Sequence, residues 1–244
     1  MPDVTDDVVI VTGASRGLGK SVAERLSGEG ARVVLTATDE ERLQAVADEM
    51  GGDALVVPAD VRDADAVDRV VEETGHAFGP PDSLVNNAGI SPLSLHDERR
   101  SILEMTESEW DQIIDVNLTG VFLFTKAVLP HMYERGSGNV INVSSALGRV
   151  ATAGAAAYVS SKWGLEGFTR VVAQEGEDRG VNANAIDPGG RVNTDIWNHL
   201  PESERQEILQ PDVMDDAIVL LAGQGPGGVS GETHTAAEWE DVLA

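Results

Sequence analysis

A phenol and an ammonium stand one helical turn apart in Tyr158-Val159-Ser160-Ser161-Lys162. At i and i+4 of a helix the two side chains share a face. A free tyrosine titrates near pH 10, too high for a base at neutrality, but a nearby cation favours the phenolate and lowers that value. A tyrosine so tuned can exchange a proton with a substrate oxygen while a hydride moves. One such pair is common in helices, so its meaning depends on what accompanies it.

The strongest companion lies near the start, in Thr12-Gly13-Ala14-Ser15-Arg16-Gly17-Leu18-Gly19. Gly13, Gly17 and Gly19, set between an apolar run and a helical pattern, let the backbone approach a pyrophosphate. The helix start adds N–H groups and a positive dipole. The spacing is GxxxGxG, not the commoner GxGxxG. A second reading takes Ala14–Ser21 as a relaxed phosphate loop of a nucleoside triphosphatase, with Lys20 on phosphate and Ser21 on magnesium. The strict motif fails at Ala14, where it requires glycine. Cofactor choice turns on Leu35-Thr36-Ala37-Thr38-Asp39. NAD-specific folds usually place a carboxylate here for the ribose 2′-hydroxyl. Arg16 and Thr38 suit a 2′-phosphate, and Asp39 is read as the N-cap of the next helix. NADP(H) is therefore expected over NAD(H). Asp60, followed by Val61, stands where a carboxylate can meet the adenine amino group. In Asn86-Asn87-Ala88-Gly89 small residues allow close passage of the cofactor, and an Asn amide ties strand ends together.

These groups need a frame. Apolar runs at Val8–Val11, Arg32–Leu35, Ala54–Val57, Ser83–Val85, Asn139–Val143 and Val181–Ile186 alternate with helical patterns. The patterns cover Lys20–Leu26, Glu40–Met50, Ala64–Phe78, about Ser108–Glu134 and Tyr158–Glu177. The runs are continuous rather than alternating, as in strands covered on both faces. A repeated βα order predicts an α/β fold: a doubly wound, Rossmann-type parallel sheet in a single domain. Residues 91–105 and 189–211 are less regular. They follow strands on the edge where such sheets bind ligands, which marks them as substrate-side segments.

Taken in order, the glycine turn, Asn86-Asn87-Ala88-Gly89, Asn117 in Val116-Asn117-Leu118-Thr119-Gly120, Ser144-Ser145, Tyr158 with Lys162, and Pro188-Gly189 closely resemble the short-chain dehydrogenase/reductase family over roughly residues 7–195. Thr12–Thr38 looks most like the 3-oxoacyl-(acyl-carrier-protein) reductase branch. The resemblance implies an NADP(H)-dependent oxidoreductase acting on a carbonyl or secondary alcohol. It implies that Ser145, thirteen residues before Tyr158, polarises the carbonyl. Tyr158 would be the proton donor and acceptor, and Lys162 would hold the nicotinamide ribose and depress the Tyr158 pKa. Asn117, at a break in the long helix, would hold a water linking Lys162 to solvent. Pro188 and Gly189 would pass beside the nicotinamide, with Val192 and Thr194 near its carboxamide. It also implies a homodimer or homotetramer built on the two long helices.

The sequence departs from the family at Gly190–Thr194, at the charged Asp97-Glu98-Arg99-Arg100, and after Gly231. Composition narrows the remaining classes. There are 42 acidic and 17 basic residues, a formal net charge of -25, and no cysteine. Such self-repulsion opposes folding at low salt and fades near 1 M, where the Debye length is about 3 Å. This predicts a protein adapted to a salty cytoplasm and repelled by nucleic acid and anionic membranes. No uninterrupted run reaches the roughly 18 apolar residues of a membrane span. The histidines lack ligand spacing, so no metal is expected. The four tryptophans read as packing residues, with Trp197 a possible substrate contact. A non-catalytic NADP-binding sensor on the same fold is the remaining alternative.

Overall fold

The computed structural model describes residues 3–96, 99–198 and 200–243. Seven parallel strands form one sheet: β1 (Val8–Thr12), β2 (Arg32–Thr36), β3 (Ala54–Val56), β4 (Ser83–Asn86), β5 (Gly138–Val143), β6 (Val181–Asp187) and β7 (Thr233–Thr235). Their spatial order is β3-β2-β1-β4-β5-β6-β7. The order reverses between β1 and β4, and at such a switch the ends of the strands open a crevice for ligands. β1 sits centrally, with Ile10 opposite Val34 of β2 on one side and Leu84 of β4 on the other.

Helices cover both faces: α1 (Gly17–Gly28), α2 (Glu40–Glu49), α3 (Ala64–Ala77), α4 (Pro92–His96), α5 (Glu107–Ile114), α6 (Gly120–Arg135), α7 (Ala156–Gly176), α8 (Glu202–Gln206), α9 (Asp215–Ala222) and α10 (Ala236–Leu243). Alternate residues of β1 feed two cores. Val9 and Val11 pack with Leu26 of α1, Leu43 of α2, Ile218 of α9 and Trp239 of α10. Val8 and Ile10 pack with Val70 of α3 and with Phe124 and Met132 of α6. This two-sided burial is why the strands lack the alternation of a half-exposed sheet.

Local chemistry sets the helix starts. Asp39 caps α2 by accepting from the Arg42 N–H, Asp63 caps α3, and Thr106 with Glu109 forms a reciprocal capping box for α5, as polar N-caps do. The expected long helix around Ser108–Glu134 is present, interrupted by a π-helical turn at Asp115–Thr119 that carries Asn117. The resulting rod, Glu107–Arg135, is long and apolar enough to cross a membrane, with mean hydropathy 1.5. Its apolar side chains Phe124, Val128 and Met132 are instead buried against the sheet.

Three readings change. α1 starts at Gly17 rather than Lys20, because the glycines that form the turn also supply the first helical residues. The region from Gly189 onward is more regular than expected: α9, β7 and α10 complete the far edge of the sheet. The tryptophans divide. Trp239 is fully buried and donates its indole N–H to the Ala185 carbonyl at 2.9 Å, whereas Trp110 and Trp163 are exposed. Asp97, Glu98 and His199 lie outside the described residues.

Candidate active site

The glycine turn joins β1 to α1 at the carboxyl edge of the sheet. Gly13 and Gly17 have φ of +66° and +55°, left-handed values that disfavour any side chain. A Cβ on Gly19 would lie 2.3 Å from the Gly13 carbonyl and 2.4 Å from the Asn87 amide nitrogen. A Cβ on Gly13 would lie 2.9 Å from the Ala88 Cα. The Asn87 amide donates to the carbonyls of Thr12 (2.8 Å) and Gly13 (3.2 Å). The N–H groups of Asn87 and Ala88 both donate to the Thr12 hydroxyl at 3.0 Å. Asn87 thus stitches β1 to β4 as the sequence suggested. Thr12 is an equal partner that the sequence reading quoted without assigning a role.

No side chain caps α1, and its first turn carries no acidic residue, so its N–H groups and dipole face the crevice beside Ser15 and Leu18. The donor set fits the pyrophosphate of a dinucleotide. Around the end of β2, Arg16 pairs with Asp195 at 2.5 Å, and Arg42 lies 3.8 Å from the same carboxylate. Asp39 is occupied by Arg42, accepting from its N–H at 3.1 Å and its Nε at 3.2 Å, while Thr38 is exposed. Asp60 is clasped by its neighbour Arg62, which approaches to 2.6 Å and holds the carboxyl below its ordinary value. Val61 is buried and leaves no room for a Cβ on Gly120 at the start of α6.

The second group gathers where β5, β6 and α7 meet. Lys162 is 4% exposed. Its Nζ donates to the Val143 carbonyl at 2.7 Å and lies 5.8 Å from the centre of the Tyr158 ring. Burial pulls its pKa down to about 8, against the opposing pull of Asp187 and Glu166. The Tyr158 phenol is pushed up, first by burial and then by the Asp187 charge, with the Ser145 hydroxyl working the other way. In the chain alone, loss of solvent is the largest influence on the phenol and acts against the acidification expected from Lys162. Ser145 begins the turn after β5, accepting from the Leu147 N–H at 3.3 Å.

Asn117 is fully buried. Its amide donates to the Ile90 carbonyl (2.9 Å) and the Ser161 hydroxyl (3.1 Å), and its oxygen accepts from the Ile90 N–H (2.8 Å). It pins the chain just after Gly89 to the turn of α7 beside Lys162, so most of its side-chain bonding is used in positioning. After β6, Pro188 leads to Gly189 at φ +88°, whose N–H donates to Asp187 at 2.9 Å. Val192 forms a short parallel bridge with Leu209. The Thr194 methyl comes within 3.1 Å of a Cβ built on Gly17, so the segment crosses the glycine turn. On the other side, Arg99 donates to the Thr152 hydroxyl at 3.2 Å, and His96 and Arg100 close on Glu109. Arg191 lies over the Trp197 ring at 5.4 Å. Among the described residues no cluster could hold a metal ion.

Three charged residues of this region were missed: Arg149, Glu166 and Asp187. Glu166 stands at i+8 from Tyr158 on the same helix, and Asp187 ends the run from Val181 to Ile186. Those are the only signals the sequence carries for them.

Fold and site together define a class. The chain belongs to the short-chain dehydrogenase/reductase family: residues 7–205 match the family described as short chain dehydrogenase. It is therefore an oxidoreductase that works with a nicotinamide cofactor. Among characterised relatives it is 37% identical to the 3-oxoacyl-(acyl-carrier-protein) reductase FabG of Vibrio cholerae, over 93% of both chains. It is 42% identical to the 3-oxoacyl-(acyl-carrier-protein) reductase of Synechocystis, over 91% of both. The crystal structure of a putative gluconate dehydrogenase from Agrobacterium tumefaciens superimposes with a TM-score of 0.86 at 30% identity, covering 96% of this chain and 95% of that one. A short-chain type dehydrogenase/reductase from Mycobacterium marinum gives 0.85 at 27% identity, covering 96% and 94%.

Proposed function

We propose that the protein is an NADP(H)-dependent oxidoreductase interconverting a carbonyl and a secondary alcohol, with a 3-oxoacyl thioester as the first substrate class to test. The observation that carries this is the convergence of Tyr158, Ser145 and Lys162 on the sheet edge that also bears the open start of α1. A bound nicotinamide supplies or accepts the hydride. Ser145 holds the carbonyl oxygen. Tyr158 gives its proton to that oxygen in reduction and takes it back in oxidation. Lys162, with a pKa of about 8, can carry charge or pass a proton near neutrality, and Asn117 fixes the floor beneath it.

The dinucleotide would run along Gly13, Ser15, Arg16, Gly17, Leu18 and Gly19, past Thr38, Asp60 and Val61 at its adenosine end. It would then pass Asn87, Ala88 and Gly89 to reach Tyr158, Lys162, Pro188, Gly189, Val192 and Thr194. NADP(H) is supported by Arg16 and Arg42 converging on one spot while Asp39 is spent on its cap. Residues 91–105 and 189–211 would flank the substrate. Exposed Phe122 of α6 and Trp163 and Val171 of α7 offer an apolar face for a homodimer or homotetramer. The charge of -25 suits a salt-rich cytoplasm. A nucleoside triphosphatase is not supported: Lys20 is held by Glu49 at 2.5 Å and Ser21 bonds to Asp215 at 2.8 Å.

The test is NADPH and NADH oxidation against ketones and 3-oxoacyl thioesters, at low and molar salt, with Tyr158→Phe beside wild type. NADPH-linked turnover is expected, falling by about 10²- to 10⁴-fold in Tyr158→Phe with cofactor binding retained. Strong NADH preference, or full turnover without the phenol, overturns the proposal. Cofactor binding with no turnover on any substrate would favour the sensor.

A further inference from the structure

The stripe of α7 that carries Tyr158 and Lys162 continues to Glu166, one turn further on. Glu166 is 3% exposed and Asp187, at the end of β6, is 2% exposed. Arg149, from the turn after Ser145, reaches between them: its Nη2 is 2.6 Å from Asp187 and its Nη1 is 3.7 Å from Glu166. The Ser144 hydroxyl donates to Glu166 at 2.8 Å, and the Gly189 N–H completes Asp187 at 2.9 Å. Space is tight: a Cβ on Gly148 would lie 2.4 Å from a Glu166 oxygen.

Burying two carboxylates is costly, and an apolar replacement of a buried ion pair is often no less stable. One guanidinium cannot balance two negative charges. Arg170 only grazes Glu166 at 4.0 Å and is mostly exposed. The buried charge that closes the balance is Lys162, whose ammonium meets no carboxylate among the described residues and donates only to a neutral carbonyl. Two carboxylates, one guanidinium and one ammonium sum to zero around the tyrosine.

We propose that the buried carboxylates Asp187 and Glu166, bridged from the surface by Arg149, are a positioning element for the proton-transfer pair, with Asp187 the member that sets its charge balance. The inference rests on the reading of Tyr158 as proton donor. The charged groups facing Asp187 are Arg149 from the turn after β5, Tyr158, Lys162 and Glu166 from α7, and Glu238 of α10 beyond Arg149. The carboxylate holds protons on both members of the pair, raising Tyr158 and Lys162 alike. Without it the phenol ionises at lower pH. Carbonyl reduction needs the neutral phenol, so its rate falls as pH rises through that value.

The test is Asp187→Asn beside Asp187→Glu, read as kcat/KM against pH in the reductive direction. The alkaline limb of Asp187→Asn is expected to move to lower pH by about 0.5–1.5 units, the order of magnitude for removing one nearby charge at intermediate dielectric. Asp187→Glu, which keeps the charge, should restore it. A second readout needs no cofactor. The chain has two tyrosines, so in a Tyr133→Phe background ultraviolet phenolate absorbance titrates Tyr158 alone, and the same downward shift is expected. If Asp187→Asn does not fold, Asp187→Ser, which also removes the charge, must move the limb in the same direction. A lowered plateau with an unmoved limb and titration overturns the proposal. Full turnover in Tyr158→Phe would instead strike the underlying assignment of the proton donor.

Discussion

The preference for a 2′-phosphate can be tested by two substitutions with opposite effects. Arg16 and Asp195 form a pair whose side chains are 61% and 49% exposed. An exposed pair contributes only about 0.2–1 kcal/mol. A guanidinium on a phosphate makes charge-assisted bonds of about 1.5–3 kcal/mol. The phosphate therefore wins Arg16, but it must displace Asp195 to do so. Arg16→Ala should weaken NADPH binding by about 2- to 100-fold, the phosphate energy less that of the displaced pair, expressed as a ratio, with NADH nearly unchanged. Asp195→Asn removes the competitor and should tighten NADPH by about 1.5- to 5-fold, again sparing NADH. Both constants come from calorimetric titration at one fixed, low ionic strength, because molar salt would flatten the contrast. Equal losses for the two cofactors in Arg16→Ala, or weaker NADPH binding in Asp195→Asn, would refute the reasoning that these groups compete for one site.

Two further outcomes follow from single residues. Gly19→Ala drives a methyl into the Gly13 carbonyl and the Asn87 amide; dinucleotide binding should be lost while the far-ultraviolet dichroism of the fold persists, and normal binding would contradict the geometry. Asp215 is buried, one of its oxygens has no hydrogen-bond partner among the described residues, and desolvation pushes its carboxyl up to about 6 from 3.8. Because the folded value is raised, stability is lost as pH climbs from about 4 to 6 and stays lost above. Asp215→Asn should therefore gain about 1–2 kcal/mol in urea unfolding at pH 8, after allowance for solvent screening, and little at pH 4. A gain or loss independent of pH would count against this account.

Much of the frame was legible because its signals are local. Parallel strands buried on both faces leave continuous runs such as Val8–Val11, and the glycine turn and the Tyr158–Lys162 spacing are short-range patterns. What was hidden depends on distant partners. β7 is three residues, Thr233–Thr235, none of them strongly apolar, and it is a strand only because β6 lies beside it. Arg149, Glu166 and Asp187 each look like a solvated charge in sequence, and only the fold buries the two carboxylates and sets Arg149 across them. The rise of the Tyr158 pKa was equally out of reach, since spacing reports the cation nearby but not the water removed. Trp110 and Trp163 show the reverse error, where size suggested a core that the fold does not provide.

The indole of Trp239 bears on how the molecule is made. Strand β6 delivers Asp187, Pro188 and Gly189 to the crevice, yet its outer side stays an open hydrogen-bonding edge until β7 and α10 dock on it. Those two elements follow all the others along the described chain. The dinucleotide half, built on β1 to β4, can therefore assemble before the reacting half, and a chain interrupted before β7 leaves a bare strand edge ready to pair with a neighbour.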